Sequence, residues 1–226
     1  MSDEAPKMET LRRVPIIGAR IADRIEAAPT VGVLGLSGVI GPTGMGRRQA
    51  LALTELASSI ERVFKLPRLE AVALSVNSPG GAPVQAALIA GRIRQFAEEK
   101  KVPVYAFCED VAASGGYWLA CAAEEIYADP ASIVGSIGVI SAGFGFPEML
   151  EKLGIERRVH SSGHKKGMLD PFVAERPDDI ERLRDIQEDI HDQFKEYVRT
   201  RRGEKLMADE DVLFSGEFWT GRRAEE

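Results

Sequence analysis

Leu69-Glu-Ala-Val-Ala-Leu-Ser-Val-Asn-Ser-Pro-Gly-Gly81 is the stretch from which the fold can be read. From Leu69 to Val76 the side chains are nearly all apolar or small. A strand reads this way in a parallel sheet covered on both faces, and not as an alternation of wet and dry positions. Pro79 then fixes φ and removes a donor, and two glycines open conformations closed to other residues, so the strand must end in a sharp turn. Pro83 to Lys100 follows as a helix with Ile89, Ile93 and Phe96 on one face. Val102 to Phe107 returns as a strand. Strand, turn, helix and strand together make a βαβ unit, whose ligands bind at the carboxyl ends of the strands.

Working outward, Val31 to Leu36 reads as an earlier strand and Gly38 to Gly46 as a glycine-rich loop. Arg47 to Phe64 reads as a helix with Leu51, Leu56, Ile60 and Val63 inward. Downstream, Gly115 to Ala123 is a short helix, Glu125 to Ala128 a fourth strand and Ile137 to Ile140 a fifth. Asp178 to Arg202 is a long amphipathic helix. Its stripe of Ile180, Leu183, Ile186, Ile190, Phe194 and Tyr197 needs cover from the core or from a partner helix. The expected organisation is an N-terminal segment, 1–28, with a short helix at Ile16 to Ala27. One α/β domain follows over 29–226, with a mainly parallel sheet, crossover helices and a helical extension at 178–203.

The 226 residues suffice for one such domain. Hydrophobic residues at 44% and charged residues at 28% indicate a globular chain. A net charge of −6 gives no reason to invoke nucleic acid. The basic clusters Arg47-Arg48 and Arg199 to Arg202 read as solvated helix faces. Cys108 and Cys121 read as buried thiols, and neither they nor His160, His164 and His191 show metal-ligand spacing. No cofactor or metal is implied. No apolar run reaches the ~18 residues of a membrane span, and no signal-peptide core is visible. A cytoplasmic or membrane-associated location, the latter through peripheral contact, is expected.

The chemistry centres on Val111-Ala-Ala-Ser-Gly-Gly-Tyr117. Taken alone, this turn is most simply a tight helix–strand contact. It also presents a hydroxyl, Ser114, with backbone amides close by, which is what a nucleophile requires. Asn77-Ser-Pro-Gly-Gly81 lies one βα unit earlier, so the two turns should be neighbours at the sheet edge. An amide of Gly80 or Gly81, paired with that of Gly115, would form a two-donor oxyanion hole. The serine also needs a base. His164 is available but lacks an evident carboxylate partner. Lys165 and Lys166 are the alternative, since burial can bring an amine toward neutrality.

Five motifs occur in order: Asn77-Ser-Pro-Gly-Gly81, Ala113-Ser-Gly-Gly-Tyr117, Gly135-Ser-Ile-Gly-Val139, Gly163-His-Lys-Lys166 with Asp170-Pro-Phe172, and Phe218-Trp-Thr-Gly-Arg222. Together, over about Val31 to Arg222, they resemble the signal peptide peptidase A (protease IV) and SohB-like serine peptidases. The resemblance implies a ClpP/crotonase-like fold and a Ser–Lys dyad. It implies Ser114 as nucleophile, Lys166 (not Lys165) as base, by its offsets from Gly163 and Pro171, and Ser136 as the hydroxyl that orients the lysine. It further implies extended, apolar peptide substrates and a homo-oligomer. Two departures stand out. The membrane anchor frequent in the family is not seen here, and the chain stops soon after Trp219-Thr-Gly-Arg-Arg-Ala224, so some subunit contacts are expected to be missing. Two rival readings are a crotonase-like acyl-thioester lyase or hydratase, which has no need of a Ser–Lys pair, and a non-catalytic oligomeric scaffold. An intact Ser114, Ser136 and Lys166 set argues against the scaffold.

Overall fold

A computed structural model describes residues 28–42 and 50–225. The helix expected at Ile16 to Ala27 and the Arg47-Arg48 pair lie outside the described residues. The elements are β1 (Thr30–Ser37), β2 (Val39–Ile40), β3 (Ala50–Leu51), α1 (Leu53–Phe64), β4 (Leu69–Ser78), α2 (Pro83–Lys100) and β5 (Val104–Ala113). They continue with α3 (Gly115–Ala120), β6 (Glu125–Ala128), β7 (Ile133–Gly135), α4 (Pro147–Lys152), α5 (Pro177–Arg202), α6 (Glu210–Leu213), β8 (Phe218–Thr220) and α7 (Gly221–Glu225).

The main sheet runs β1-β4-β5-β7-β8, with β6 paired to the first half of β5. Every pairing is parallel except β7 with β8. This is the expected α/β architecture with a mainly parallel sheet. Several boundaries differ from expectation, among them the strand placed at Val102 to Phe107, which runs from Val104 to Ala113. The strand placed at Ile137 to Ile140 forms instead at Ile133–Gly135, because Val111 to Ala113 of β5 need partners there. The helix placed from Arg47 starts at Leu53, after Ala50 and Leu51 pair with Val39 and Ile40 in a small second sheet. The glycine-rich loop therefore contains a strand. The short helix placed at Gly115 to Ala123 ends at Ala120.

The expectation of a sheet covered on both faces is also corrected. On β4, Val72, Leu74 and Val76 are fully buried, whereas Ala71, Ala73 and Ser75 between them are only half-buried. On β1, Leu34 and Leu36 point into the core while Val33 is 69% exposed. Helices α1 and α2 cover one face, and Phe64 stacks on Phe96 at 5.5 Å between them. Small residues such as Ala71 and Ala73 suit either face, which is why composition could not separate the two.

Only the C-terminal half of α5 joins the core. Phe194 and Val198 are buried, and Trp118 of α3 stacks on Phe194 at 4.6 Å and on Tyr197 at 5.3 Å. Ile180, Leu183, Ile186 and Ile190, from the same stripe, stay half-buried. The Arg199 to Arg202 cluster is not a solvated face as expected. Arg201 Nε donates to Cys121 O at 2.9 Å, and its Nη2 reaches Ala123 O at 3.2 Å, so the guanidinium caps the carbonyl end of α3. Arg199 pairs with Glu210 at 2.6 Å.

The register at the end of β5 carries a consequence for function. Val76 pairs with Cys108, but Ser78 pairs with Ala112, so β5 carries a bulge between them. Ser132 Oγ donates to Glu109 O at 2.5 Å within that bulge. The bulge brings Ala112 and Ala113 level with Ser78, and so delivers Ser114 beside the turn that follows β4.

Candidate active site

Ser114 occupies the junction between β5 and α3, with φ 52° and ψ −122°. This backbone region is ordinarily glycine's, and a serine there costs roughly 1–3 kcal/mol. The surroundings hold it in place. Its N–H donates to Gly135 O at 2.8 Å, and its C=O accepts from Trp118 N–H at 3.0 Å. Ser114 is half-buried. A strained serine on a sharp strand-to-helix turn presents its hydroxyl at the sheet edge, as nucleophile turns do. Ser136 follows β7 as Ser114 follows β5, and the register Ala113↔Gly135 sets the two serines in adjacent positions. Ser136 also has a positive φ, 54°, and its N–H donates to Glu217 O at 2.6 Å.

The two glycine turns meet closely. A Cβ on Gly80 would lie 2.8 Å from both Gly115 N and Ser114 Cβ. A Cβ on Gly116 would lie 2.3 Å from Ser78 O, so α3 starts in direct contact with the end of β4. The sequence left open whether Gly80 or Gly81 offers its amide, and the hydrogen bonds separate them. Gly80 N–H donates to the buried Ser78 Oγ at 3.2 Å. Ile40 N–H donates to Gly80 O at 2.8 Å, and Ala82 N–H to Ile40 O at 2.9 Å, which clamps the turn against β2. The N–H groups of Gly81 and Gly115 have no acceptor among the described residues. They lie close together, since a Cβ on Gly115 would be 3.4 Å from Gly81 N. Gly115 also opens α3, and amides at the start of a helix favour developing negative charge.

Neither lysine is hydrogen-bonded to this centre. Lys165 Nζ is hydrogen-bonded to Asp178 and lies 3.4 Å from Asp179 Oδ1. The bond to Asp178 is the main cause holding its ammonium pKa above the ordinary lysine value, which keeps the group charged and unsuited to a base. Lys166 has no side-chain hydrogen bond or ion pair among the described residues and is exposed. The burial that would bring its amine toward neutrality is not present within one chain. No hydrogen bond joins it to Ser114 or Ser136. His164 is also exposed, and its carbonyl accepts from Arg176 at 3.5 Å. The segment carrying these residues departs from the sheet after Ile137 and returns with α5, where His191 Nε2 lies 3.0 Å from Ile137 O.

Sequence reasoning missed Ser78, Gly116 and the backbone of Ile40. Ser78 had a visible cue: a serine two residues before a glycine in a turn commonly captures that glycine's N–H. Contact of Gly116 and Ile40 with the turn follows only from the packing. Cys108 and Cys121 are free and buried, as expected. Burial pushes the Cys108 thiol up to about 11 and the Cys121 thiol up to about 12, and pushes the Tyr117 hydroxyl up as well. Among the described residues no group of histidines, cysteines and carboxylates could hold a metal ion.

The model of Peptidase family S49 matches residues 96–226, from α2 through the Ser114 turn to Glu226. The chain belongs to peptidase family S49. The SppA/SohB-like relationship expected from the five motifs holds, with relatives of those names at 28–32% identity. The "Serine protease SPPA, chloroplastic" of Arabidopsis thaliana is 32% identical over 77% of this chain and 26% of its own length. A Brucella melitensis protein named "Na(+)/H(+) antiporter NhaA" is 52% identical over 90% of this chain, which spans only 28% of that protein. Among solved structures, the "1510-N membrane-bound stomatin-specific protease S97A mutant" superposes with a TM-score of 0.50 at 18% identity. It covers 87% of this chain and 75% of its own, and so shares the fold. The family and this neighbour are consistent with a ClpP-like α/β fold.

Proposed function

We propose that this chain is a serine endopeptidase in which Ser114 attacks the scissile carbonyl and Lys166 serves as the base. The observation that carries the reading is the pair of acceptor-free N–H groups, Gly81 and Gly115, converging beside a strained Ser114. The Lys166 amine takes the Ser114 Oγ proton as the Oγ–carbon bond forms. The former carbonyl oxygen becomes an oxyanion that accepts from Gly81 N–H and Gly115 N–H. Collapse breaks the carbon–nitrogen bond, and the lysine ammonium returns its proton to the departing amine. Water, deprotonated by the same amine, then releases the acyl group and restores Ser114. Ser136, adjacent to Ser114, orients the amine.

A lysine base must shed its charge, which burial favours. Lys166 is exposed on the isolated chain, so we assign its cover to a second copy in a homo-oligomer. The bound peptide is taken as an extended segment with apolar side chains, of signal-peptide type or otherwise, lying along the sheet edge. Ion transport, named for the Brucella relative, is not carried over. Among the described residues no helix is long and apolar enough to cross a membrane.

The test is hydrolysis of a fluorogenic apolar peptide together with labelling by a fluorophosphonate. Ser114→Ala and Lys166→Ala should each abolish turnover, and Lys165→Ala should largely spare it. Ser114 should carry the label. A fully active Lys166→Ala, or label on another residue, overturns the assignment.

A further inference from the structure

The peptidase reading leaves unexplained a side chain that touches no reacting atom: Ser78, the last residue of β4. It is fully buried, one of only a few polar side chains so placed among the described residues. Its surroundings are crowded. A Cβ on Gly116 would lie 3.2 Å from Ser78 Cβ and 2.3 Å from Ser78 O, and Ser78 pairs across the sheet with Ala112, two residues before Ser114. Its Oγ accepts the N–H of Gly80 at 3.2 Å. The turn thus has three successive amide groups with three different fates. Gly80 N–H is held by Ser78, Gly81 N–H has no acceptor among the described residues, and Ala82 N–H is held by Ile40.

Pro79 precedes this turn and has no N–H to compete. Gly80 and Gly81 have φ values of +100° and +141°, in the region that favours glycine. Two consecutive glycines make the Gly80–Gly81 peptide plane easy to rotate. A rotated plane would aim a carbonyl, not an amide, at the oxyanion. What opposes rotation is the anchoring of Gly80 at both ends: its O by Ile40 N–H, and its N–H by Ser78 Oγ.

We infer that Ser78 is a positioning residue of the oxyanion hole, which by capturing the Gly80 N–H holds the following peptide with its Gly81 N–H facing the oxygen bound beside Ser114. This rests on the peptidase reading above. Ser78 acts through Gly81 and does not touch the substrate. It therefore contributes when charge develops on the oxygen and little to binding of the uncharged peptide.

The experiment compares the full chain with Ser78→Ala, Ser78→Thr and Ser78→Cys, using the same fluorogenic peptide and a peptide aldehyde whose adduct with Ser114 places an oxygen in the hole. Ser78→Ala should lower kcat by about 10- to 100-fold, short of the ~10²–10³ typical for outright loss of a donor. KM should stay within about twofold, and aldehyde affinity should weaken in step with kcat, because both follow the same interaction. Ser78→Thr, which keeps the hydroxyl, should recover most of the loss. Ser78→Cys, a weak acceptor of similar shape, should fall between and serves as the decisive variant if Ser78→Ala does not fold. A folded Ser78→Ala or Ser78→Cys with unchanged kcat and aldehyde affinity overturns the role of Ser78 alone. So does a loss of kcat without loss of aldehyde affinity, which marks a purely structural effect. A wild-type chain without Ser114-dependent hydrolysis overturns the peptidase reading, and this inference with it.

Discussion

Replacing Gly80 by alanine tests the meeting of the two turns more sharply than any other single change. A Cβ at Gly80 would sit 2.8 Å from Gly115 N, 2.8 Å from Ser114 Cβ and 3.0 Å from Ala113 O. Ordinary contact begins near 3.4 Å, so the Ser114 turn must retreat by about half an ångström. The neighbours are backbone and the Cβ of Ser114, and none can swing aside as a long side chain would. The backbone adds a second cost, since φ at Gly80 is +100° and a side chain there is disfavoured by about 1–3 kcal/mol. Together these effects should destabilise the fold by roughly 2–4 kcal/mol, lowering Tm by about 4–16 °C for a chain of this size. Misplacement of a reacting group by 1 Å costs about 100-fold in rate, so half that distance should cost at least about tenfold in kcat. Thermal unfolding and turnover of the fluorogenic peptide measure the two effects. Gly91→Ala is the matched control. It lies in α2 with nothing within 4 Å of the added methyl, and should stabilise the chain by about 0.5–1 kcal/mol through helix propensity alone. A Gly80→Ala variant that keeps wild-type Tm and kcat would refute the close approach of the two turns.

The asymmetry of the sheet gives a second outcome. Leu34→Ala should cost about 2–5 kcal/mol, because Leu34 is 4% exposed in the core. Val33→Ser, one residue away at 69% exposure, should change urea stability by no more than about 0.5 kcal/mol; a large effect there would show that the outer face is covered. A third outcome concerns the thiols. Burial raises Cys108 to about 11 and Cys121 to about 12, above the unfolded value near 9. Both thiols are then neutral in either state below pH 9, and their stabilising effect is fully present. As pH rises from 9 toward 11–12 only the unfolded chain ionises, and each thiol should remove about 1.4 kcal/mol of stability per pH unit. Urea titrations between pH 8 and 10, below most of the range in which the unfolded tyrosines ionise, measure the slope, and a Cys108→Ala, Cys121→Ala double variant should flatten it. Rapid alkylation of both thiols in the folded chain at pH 8 would contradict this burial.

The βαβ core was legible because its signals are local and mutually consistent. Leu69 to Val76 is nearly all apolar or small, Pro79-Gly80-Gly81 can only turn, and Ile89, Ile93 and Phe96 recur at helical spacing. The placing of Ser114 and Gly80–Gly81 at one sheet edge followed from topology, since consecutive parallel strands put their carboxyl-end turns side by side. Boundaries were less readable. Ile137 to Ile140 is as β-prone as Ile133–Gly135, and only pairing with Val111 to Ala113 chooses between them. Arg201 looked like one solvated arginine among three until the carbonyls of Cys121, Ala122 and Ala123 came within its reach from about eighty positions away.

The sequence by itself determined the central βαβ unit, the two glycine turns and the chemical types they carry, because backbone permissiveness and hydrophobic period are properties of neighbouring residues. Tertiary structure decided which amide is free. Gly80 and Gly81 are indistinguishable as letters, and the hydroxyl of Ser78 and the backbone of Ile40 occupy the donors on either side of Gly81. It also decided that Lys165 is tied to Asp178 and Asp179 while Lys166 stands exposed. Those carboxylates arrive on α5, thirteen and fourteen residues beyond Lys165, and only the folded chain brings them to one lysine and not to the other.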